Sequence, residues 1–297
     1  MQLTVANANI SNAVQTNSLT VGGLPIDNDI IIGAVEVNSS QITVGSSLIN
    51  STAISIPQLI LGGVSFTGGT TGYGAIVNTQ IFTANGTWYN PYTNAAANAV
   101  LGLSGNEQVF IMMWGGGGGG NNTTASKGGG GGGACLIGTY TLSSLANTTV
   151  TVGQGGAAGV SGTSSIFGSM VAYGGASSVN GGGGGGLLGA GSGQVGGAPL
   201  GGASGVDSTL GGGGGTQGNG GRSIFGGGGG GQSDSGTASY SIYGGAGGAN
   251  TLVATGSSIF GGRGANGTVA ATTPGGGGSD TGNFSGADGE IRIWVIK

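Results

Sequence analysis

Histidine is absent from all 297 residues, so no imidazole is available for a catalytic triad, a metal site or a switch near neutral pH. Cysteine is nearly absent: Cys135 alone can close no intrachain disulfide and complete no thiolate zinc site. It reads as a small buried hydrophobe that opens a strand. Charge is scarce, with 5 basic and 9 acidic residues and a net charge of −4. Five cations cannot build the electrostatic footprint of a nucleic-acid binder, so no nucleic-acid partner is expected. Asp27 and Asp29 read as a charged turn after Pro25, and no other carboxylate pair suggests glycosidase chemistry. We expect no enzyme, no cofactor and no bound metal. Long hydrophobic runs are also missing. The densest apolar stretch, Val109–Trp114, falls far short of the roughly 20 residues a bilayer span needs, so membrane insertion is not expected. The amino end lacks a basic stretch followed by an apolar block, and no cleaved signal peptide is expected. Mean hydropathy is nevertheless positive, which argues against the usual signature of disorder.

What the chain has is glycine. It carries 79, of which 13 precede Trp114 and 66 follow. Five prolines and no Gly-X-Y period exclude collagen. The 66 glycines include uninterrupted runs at Gly115–Gly120, Gly128–Gly133, Gly181–Gly186, Gly211–Gly215, Gly226–Gly231 and Gly275–Gly278. A single such run would read as a flexible linker. Runs of nearly constant length instead suggest rods crossing a layer of fixed thickness. The extended left-handed helix, with three residues per turn and about 3.1 Å rise, would carry a six-residue run about 19 Å. Its amides and carbonyls must bond to neighbouring rods, so an isolated rod would melt and only a closed bundle could stand.

A recurrent punctuation supports packing. Ser165-Ile166-Phe167-Gly168, Ser223-Ile224-Phe225-Gly226 and Ser258-Ile259-Phe260-Gly261 are one motif. Val171-Ala172-Tyr173-Gly174 and Ser241-Ile242-Tyr243-Gly244 form a second, weaker pair. Recurring aromatic anchors imply a packed repeat, and Phe167, Phe225 and Phe260 are expected to be buried.

Residues 1–80 read as short β-strands broken by Asn, Ser and Gly: Leu3–Val5, Leu19–Val21, Val35–Val37, Ile42–Val44, Ile54–Ile56 and Leu59–Leu61. Such strands suit either an intertwined trimeric shaft or a small single-chain meander. Because they are so short, and no cation precedes Lys127, we expect a homotrimer through this segment. From Ile81 the pattern is more conventional. Asn85-Gly86 signals a hairpin between Gln80–Thr83 and Thr87–Tyr89. Thr93–Ala99 reads as a loop or one weak helical turn. Gln108–Trp114 is apolar on both faces and therefore buried on both. Glu290–Lys297 mirrors it, and the two should pair, closing the glycine region like a clasp. Ile137–Leu142 and Thr148–Val152 are further strands.

Phe82-Thr83-Ala84-Asn85-Gly86-Thr87-Trp88, then Val109–Trp114 running into Gly115–Gly120, then Val150-Thr151-Val152-Gly153-Gln154-Gly155-Gly156 resembles the glycine-rich domain of bacteriophage tail-fibre and adhesin proteins. Thr163–Val171 and Gly286–Trp294 extend the likeness, which covers residues 81–297. The resemblance implies a sandwich of packed polyglycine helices in a virion protein that contacts the host, with recognition carried by loops at the helix ends.

The resulting expectation is an all-β fold with much non-regular structure. Residues 1–80 attach to other virion proteins or trimerise. Residues 81–297 form a glycine-rich adhesin-like domain, in which strands within 81–114, 135–152 and 288–297 frame a polyglycine II sandwich at 115–287. The expected function is host-surface attachment through a neutral glycan or an outer-membrane protein loop. Two other readings stay open: a virion decoration or assembly protein, and an ice-binding protein, which thermal hysteresis would reveal. The longest polar excursion, Gln232–Tyr243, supplies Asp234, Tyr240 and Tyr243 as candidate receptor contacts. Lys127, from Asn121–Lys127, and Phe284, from Thr268–Phe284, complete the set if these excursions share one end. Tyr243 has a second reading as a packing anchor, since it precedes Gly244-Gly245 as Tyr173 precedes Gly174-Gly175. Trp88, Tyr89 and Tyr92 are the reserve surface.

Overall fold

A computed structural model describes residues 75–297, apart from 124–125, 216–217, 232–238, 250–255 and 283, together with eight short strands between residues 19 and 66. The chain divides into two units, Met1–Gly72 and Tyr73–Lys297. In the first unit each described strand pairs antiparallel with a sequence neighbour. β1 (Leu19–Val21) pairs with β2 (Leu24–Ile26), and β7 (Leu59–Leu61) with β8 (Val64–Phe66). β3 (Val35–Val37), β4 (Gln41–Val44), β5 (Ser47–Asn50) and β6 (Ile54–Ser55) form one four-stranded meander. The expected strand Leu3–Val5 lies outside the described residues.

The second unit begins with β9 (Ile76–Phe82), so the boundary drawn at residue 80 falls inside a strand. Two four-stranded antiparallel sheets form its platform. The first has the order β14 (Cys135–Thr141), β11 (Gln108–Trp114), β18 (Glu290–Ile296), β9. β11 and β18 pair in full register from Gln108↔Ile296 to Trp114↔Glu290, as the mirrored apolar patterns predict. The second sheet has the order β10 (Gly86–Trp88), β15 (Thr148–Thr151), β16 (Ser165–Phe167), β17 (Met170–Ala172). The expected β9–β10 hairpin is not formed, because the two strands join different sheets. Asn85 is used instead as a cross-link: its Oδ1 accepts from Val152 N at 2.8 Å.

Alternation along β11 sorts its side chains between two cores. Val109, Ile111 and Met113, with Ile291, Ile293 and Val295 of β18, are buried against Trp88, Val150 and Phe167 of the second sheet. On the opposite face Met112 and Trp114 pack with Cys135, Ile137, Trp294 and Tyr243. The alanine-rich segment forms α1 (Ala95–Leu101), two residues beyond the expected Ala99. Asn94 Oδ1 caps it by accepting from Ala96 N and Ala97 N, and Gly102, at φ 58°, ends it.

Beyond Trp114 the runs of glycine lie against one another with a three-residue period. Gly129 N and Gly132 N donate to Gly231 O and Gly228 O, both at 2.9 Å. Gly130 N and Gly133 N reach Gly278 O and Gly275 O at 2.8 Å, while Gly131 N and Ala134 N reach Ala176 O and Tyr173 O. Gly115–Gly120 repeats the pattern: Gly115 and Gly118 donate to Ala134 and Gly131, Gly116 and Gly119 to Thr163 and Val160, Gly117 and Gly120 to Ala287 and Phe284. These two runs each bond three neighbours in rotation, and their backbone amides are satisfied without a sheet. Side chains are excluded by the spacing. A Cβ on Gly130 would meet the backbone of Gly118 and Gly119 well inside the 3.0 Å that real contacts respect.

Candidate functional site: two ends of the glycine layer

The runs give the glycine layer two ends. Gly120, Gly231, Gly248 and Gly278 lie together at the end far from the platform: Gly231 N donates to Gly248 O, Gly248 N to Gly130 O, Gly130 N to Gly278 O, and Gly120 N to Phe284 O. The run ends at Gly120, Gly231, Gly248 and Gly278 therefore share one patch, although they are far apart in sequence. At the first of these, β12 (Asn121–Thr123) and β13 (Ser126–Gly128) form a small hairpin. Asn266 adds a tight turn, its Oδ1 accepting from Thr268 N and Val269 N. A hollow of about 280 Å³ at this end is lined by Ala158, Ala270, Gly282, Phe284 and Ser285.

The platform end is built differently. Ser208, Ser223, Ser241 and Ser258 are joined by successive parallel bridges into a four-rung ladder. Each rung continues as an aliphatic or β-branched residue and then Leu, Phe or Tyr before glycine: Ser208-Thr209-Leu210, Ser223-Ile224-Phe225, Ser241-Ile242-Tyr243 and Ser258-Ile259-Phe260. The serine hydroxyls fasten two rungs to glycine runs, Ser223 Oγ donating to Gly211 O at 2.8 Å and Ser241 Oγ to Gly226 O at 2.7 Å. The rings stack, Phe225 on Tyr243 and Tyr243 on Phe260, both with centroids 4.9 Å apart and within 7° of parallel. Trp114 Nε1 ties the stack to the platform by donating to Tyr243 O at 2.6 Å. The ladder floors an open groove of about 810 Å³, whose walls include Leu200, Asp207, Arg222 and Tyr240. Leu200 has φ 52°, a left-handed conformation that costs a branched side chain energy, and it is 91% exposed.

Burial of the three Ser-Ile-Phe-Gly anchors departs from expectation. Phe167 is buried, but in the platform core, edge-on to Trp88 at 5.7 Å. Phe225 is half-buried and Phe260 is 48% exposed. The motif fixes local geometry, whereas burial depends on how many rungs flank it; Phe260 belongs to the last described rung.

The candidate contacts separate accordingly. Asp234 lies outside the described residues. Lys127 is exposed on β13, and Phe284, half-buried, accepts from Gly120 N at 2.7 Å, so these two mark the far end. Tyr240 and Tyr243 are at the platform end instead. Tyr240 is 47% exposed with the Arg222 guanidinium 5.6 Å from its ring centroid, and Tyr243 fills the middle of the aromatic stack. In the reserve surface Trp88 is buried and only Tyr89 is strongly exposed. Ser239, next to Tyr240, is packed on the glycine layer, its Oγ donating to Gly229 O. Sequence reading missed the Ser208 rung because it looked for an aromatic third residue; Ser–β-branched–apolar–Gly would have found it.

Titration adds two facts. Burial pushes the Cys135 thiol far above its ordinary range. Glu107 is also pushed upward by burial, but bonds from Ser104 N, Ser104 Oγ and Gly105 N outweigh that and hold its carboxyl below the usual value. Among the described residues no three His, Cys, Asp or Glu side chains converge as a metal cluster.

No curated protein matches the chain. The model of a family described as a glycine-rich domain matches residues 93–293, from the segment before α1 through most of β18. With that match running from before α1 into β18 and taking in every glycine run, about two thirds of the chain, the chain belongs to the glycine-rich domain family.

Proposed function

We propose that the second unit is a rigid adhesin of the bacteriophage fibre type, whose polyglycine II sandwich displays host-recognition loops. The observation that carries this reading is the gathering of sequence-distant run ends, with the polar turns at Asn121–Thr123 and Asn266, at one end of a layer held mainly by backbone bonds. The three-residue hydrogen-bond period supports the polyglycine II assignment, because a threefold screw turns successive amides toward three different neighbours. The likeness of residues 81–297 to phage tail-fibre and adhesin domains supports the setting. In this reading the protein belongs to the virion and acts outside the cell. Residues 1–72 attach it to other virion proteins, as a homotrimer. The far-end loops, with Lys127 and Phe284, meet a neutral glycan or an outer-membrane protein loop, and Asp234 is kept as a candidate contact from the sequence. Ser, Thr and Asn in these excursions supply hydrogen bonding without charge.

The test is adsorption. Particles in which residues 232–238 are replaced by a Gly-Ser loop of equal length should assemble and resist protease as before but lose host adsorption. Tyr240 and Ser239 are spared, since they belong to the packed platform end. Normal adsorption by particles altered at both 232–238 and 122–126 would refute the adhesin reading and favour a structural decoration protein.

A further inference from the structure

Among the described residues the ladder at the platform end has four rungs, and its repeat is still open at the last of them. We propose that its last described rung, Ser258-Ile259-Phe260, receives a fifth rung from a partner polypeptide: an extended segment of small–β-branched–aromatic–glycine sequence, added in parallel. This does not rest on the adhesin reading, because the surface is at the opposite end from the far-end loops.

The chemistry of the occupant is read from the rungs already docked. Each inner junction uses the same groups. Ser223 N donates to Tyr240 O at 3.1 Å and Ser241 N to Ser257 O at 3.2 Å, so each serine amide holds the residue before the next serine. In return Phe225 N donates to Thr209 O, Tyr243 N to Ile224 O and Phe260 N to Ile242 O, at 2.8–3.1 Å. The corresponding outer groups of the fourth rung are Ser258 N–H and Ile259 C=O. A parallel strand is the geometry that reproduces both bonds. An antiparallel strand would place its donors in another register.

Side chains specify the rest. The aliphatic row Ile224, Ile242, Ile259 becomes more open toward the edge, with Ile242 37% exposed and Ile259 73% exposed. The aromatic row ends on Phe260, which stacks one face on Tyr243 and is 48% exposed. A fifth rung would offer one more aliphatic side chain to the groove and one more ring to the stack, at the 4.9 Å spacing already repeated twice. Native proteins normally blunt a strand edge with charge, proline or a covering element. Here none of Ser258, Ile259 or Phe260 is charged or proline. Addition of a strand to such an edge takes affinity from backbone bonds and specificity from alternate side chains.

The probe is a blocked peptide with the sequence of residues 256–262, Gly-Ser-Ser-Ile-Phe-Gly-Gly, titrated into the full chain by NMR or calorimetry. We expect saturable binding, at least about tenfold weaker to Ile259→Glu, which puts a charge on the edge. The same peptide N-methylated at its phenylalanine lacks the amide meant for Ile259 C=O and should bind unaltered protein about three- to tenfold more weakly. That comparison stands even if Ile259→Glu misfolds. Absence of saturation, equal binding of the N-methylated peptide, or equal binding to a folded Ile259→Glu variant would each overturn the proposal. So would self-association of the chain that Ile259→Glu abolishes, since the occupant would then be a second copy.

Discussion

Replacing Gly130 by alanine adds a single methyl group to a site with no room for one. Its Cβ would collide with the carbonyl of Gly118 and the carbonyl carbon of Gly119, atoms that no side-chain rotation can move aside. Gly118 is itself confined, because its own Cβ position is blocked by Gly175 and Ala176. Relief therefore requires two runs to separate, lengthening the bonds from Gly118 N to Gly131 O, 2.8 Å, and from Gly115 N to Ala134 O, 3.0 Å. Overpacking of a tight interior costs about 1–3 kcal/mol, and the upper end applies where only backbone can yield. At about 2–4 °C per kcal/mol for a unit of this size, the melting temperature should fall by about 6–12 °C. Gly218→Ala is the matched control. A Cβ there meets nothing within 4 Å, so alanine should stabilise by about 0.4–1 kcal/mol through the unfolded chain. Differential scanning calorimetry on both variants, at equal protein concentration, decides the matter. Equal melting temperatures for Gly130→Ala and Gly218→Ala would show that the runs are not packed as described.

Three further outcomes follow from the platform. Glu107→Gln should cost about 1–3 kcal/mol, because a neutral amide accepts the Ser104 and Gly105 bonds less well. Since the folded carboxyl titrates below its unfolded value, this stabilisation is present above the unfolded pKa and disappears as pH falls through the folded one; urea melts of both proteins should converge in acid. Phe167→Ala should cost about 3–5 kcal/mol, whereas Phe260→Ala, half exposed at the ladder edge, should cost under about 1.5 kcal/mol. Cys135, with its thiol fully buried and held protonated, should stay unreactive toward a thiol reagent at pH 8 until the protein is denatured.

The platform was largely legible because its strands obey a two-residue alternation. Val109, Ile111 and Met113 could be assigned to one face, and matched to Ile291, Ile293 and Val295, without knowing what lay between. The Asn85-Gly86 signal misled, since turn chemistry says where a chain bends and not which sheet receives it. Glycine runs gave away their packing through equal length, but a residue without a side chain carries no mark of its neighbours. That Gly129 faces Gly231 while Gly130 faces Gly278 is invisible in the letters. The same limit explains why Tyr240 and Tyr243 were grouped with Lys127 and Phe284. Nothing in Gln232–Tyr243 announces which end Tyr240 joins, and Ser239, whose hydroxyl packs on the glycine layer, looks like any other serine.

The three-residue rotation of partners also sets a reading frame. One residue inserted within Gly128–Gly133 would turn every later amide in that run by a third of a circle. Donors meant for Gly278 and Gly275 would then face the neighbours of Gly131 or Gly132. Three inserted residues would restore the phase but make the run longer than its neighbours. Length changes within the runs are thus penalised twice, by phase and by thickness. The turn at Asn266 meets neither constraint, because it closes on itself through Val269. Geometry therefore locks the runs in count and in composition, while the rungs between them are held by their own stacking and serine bonds.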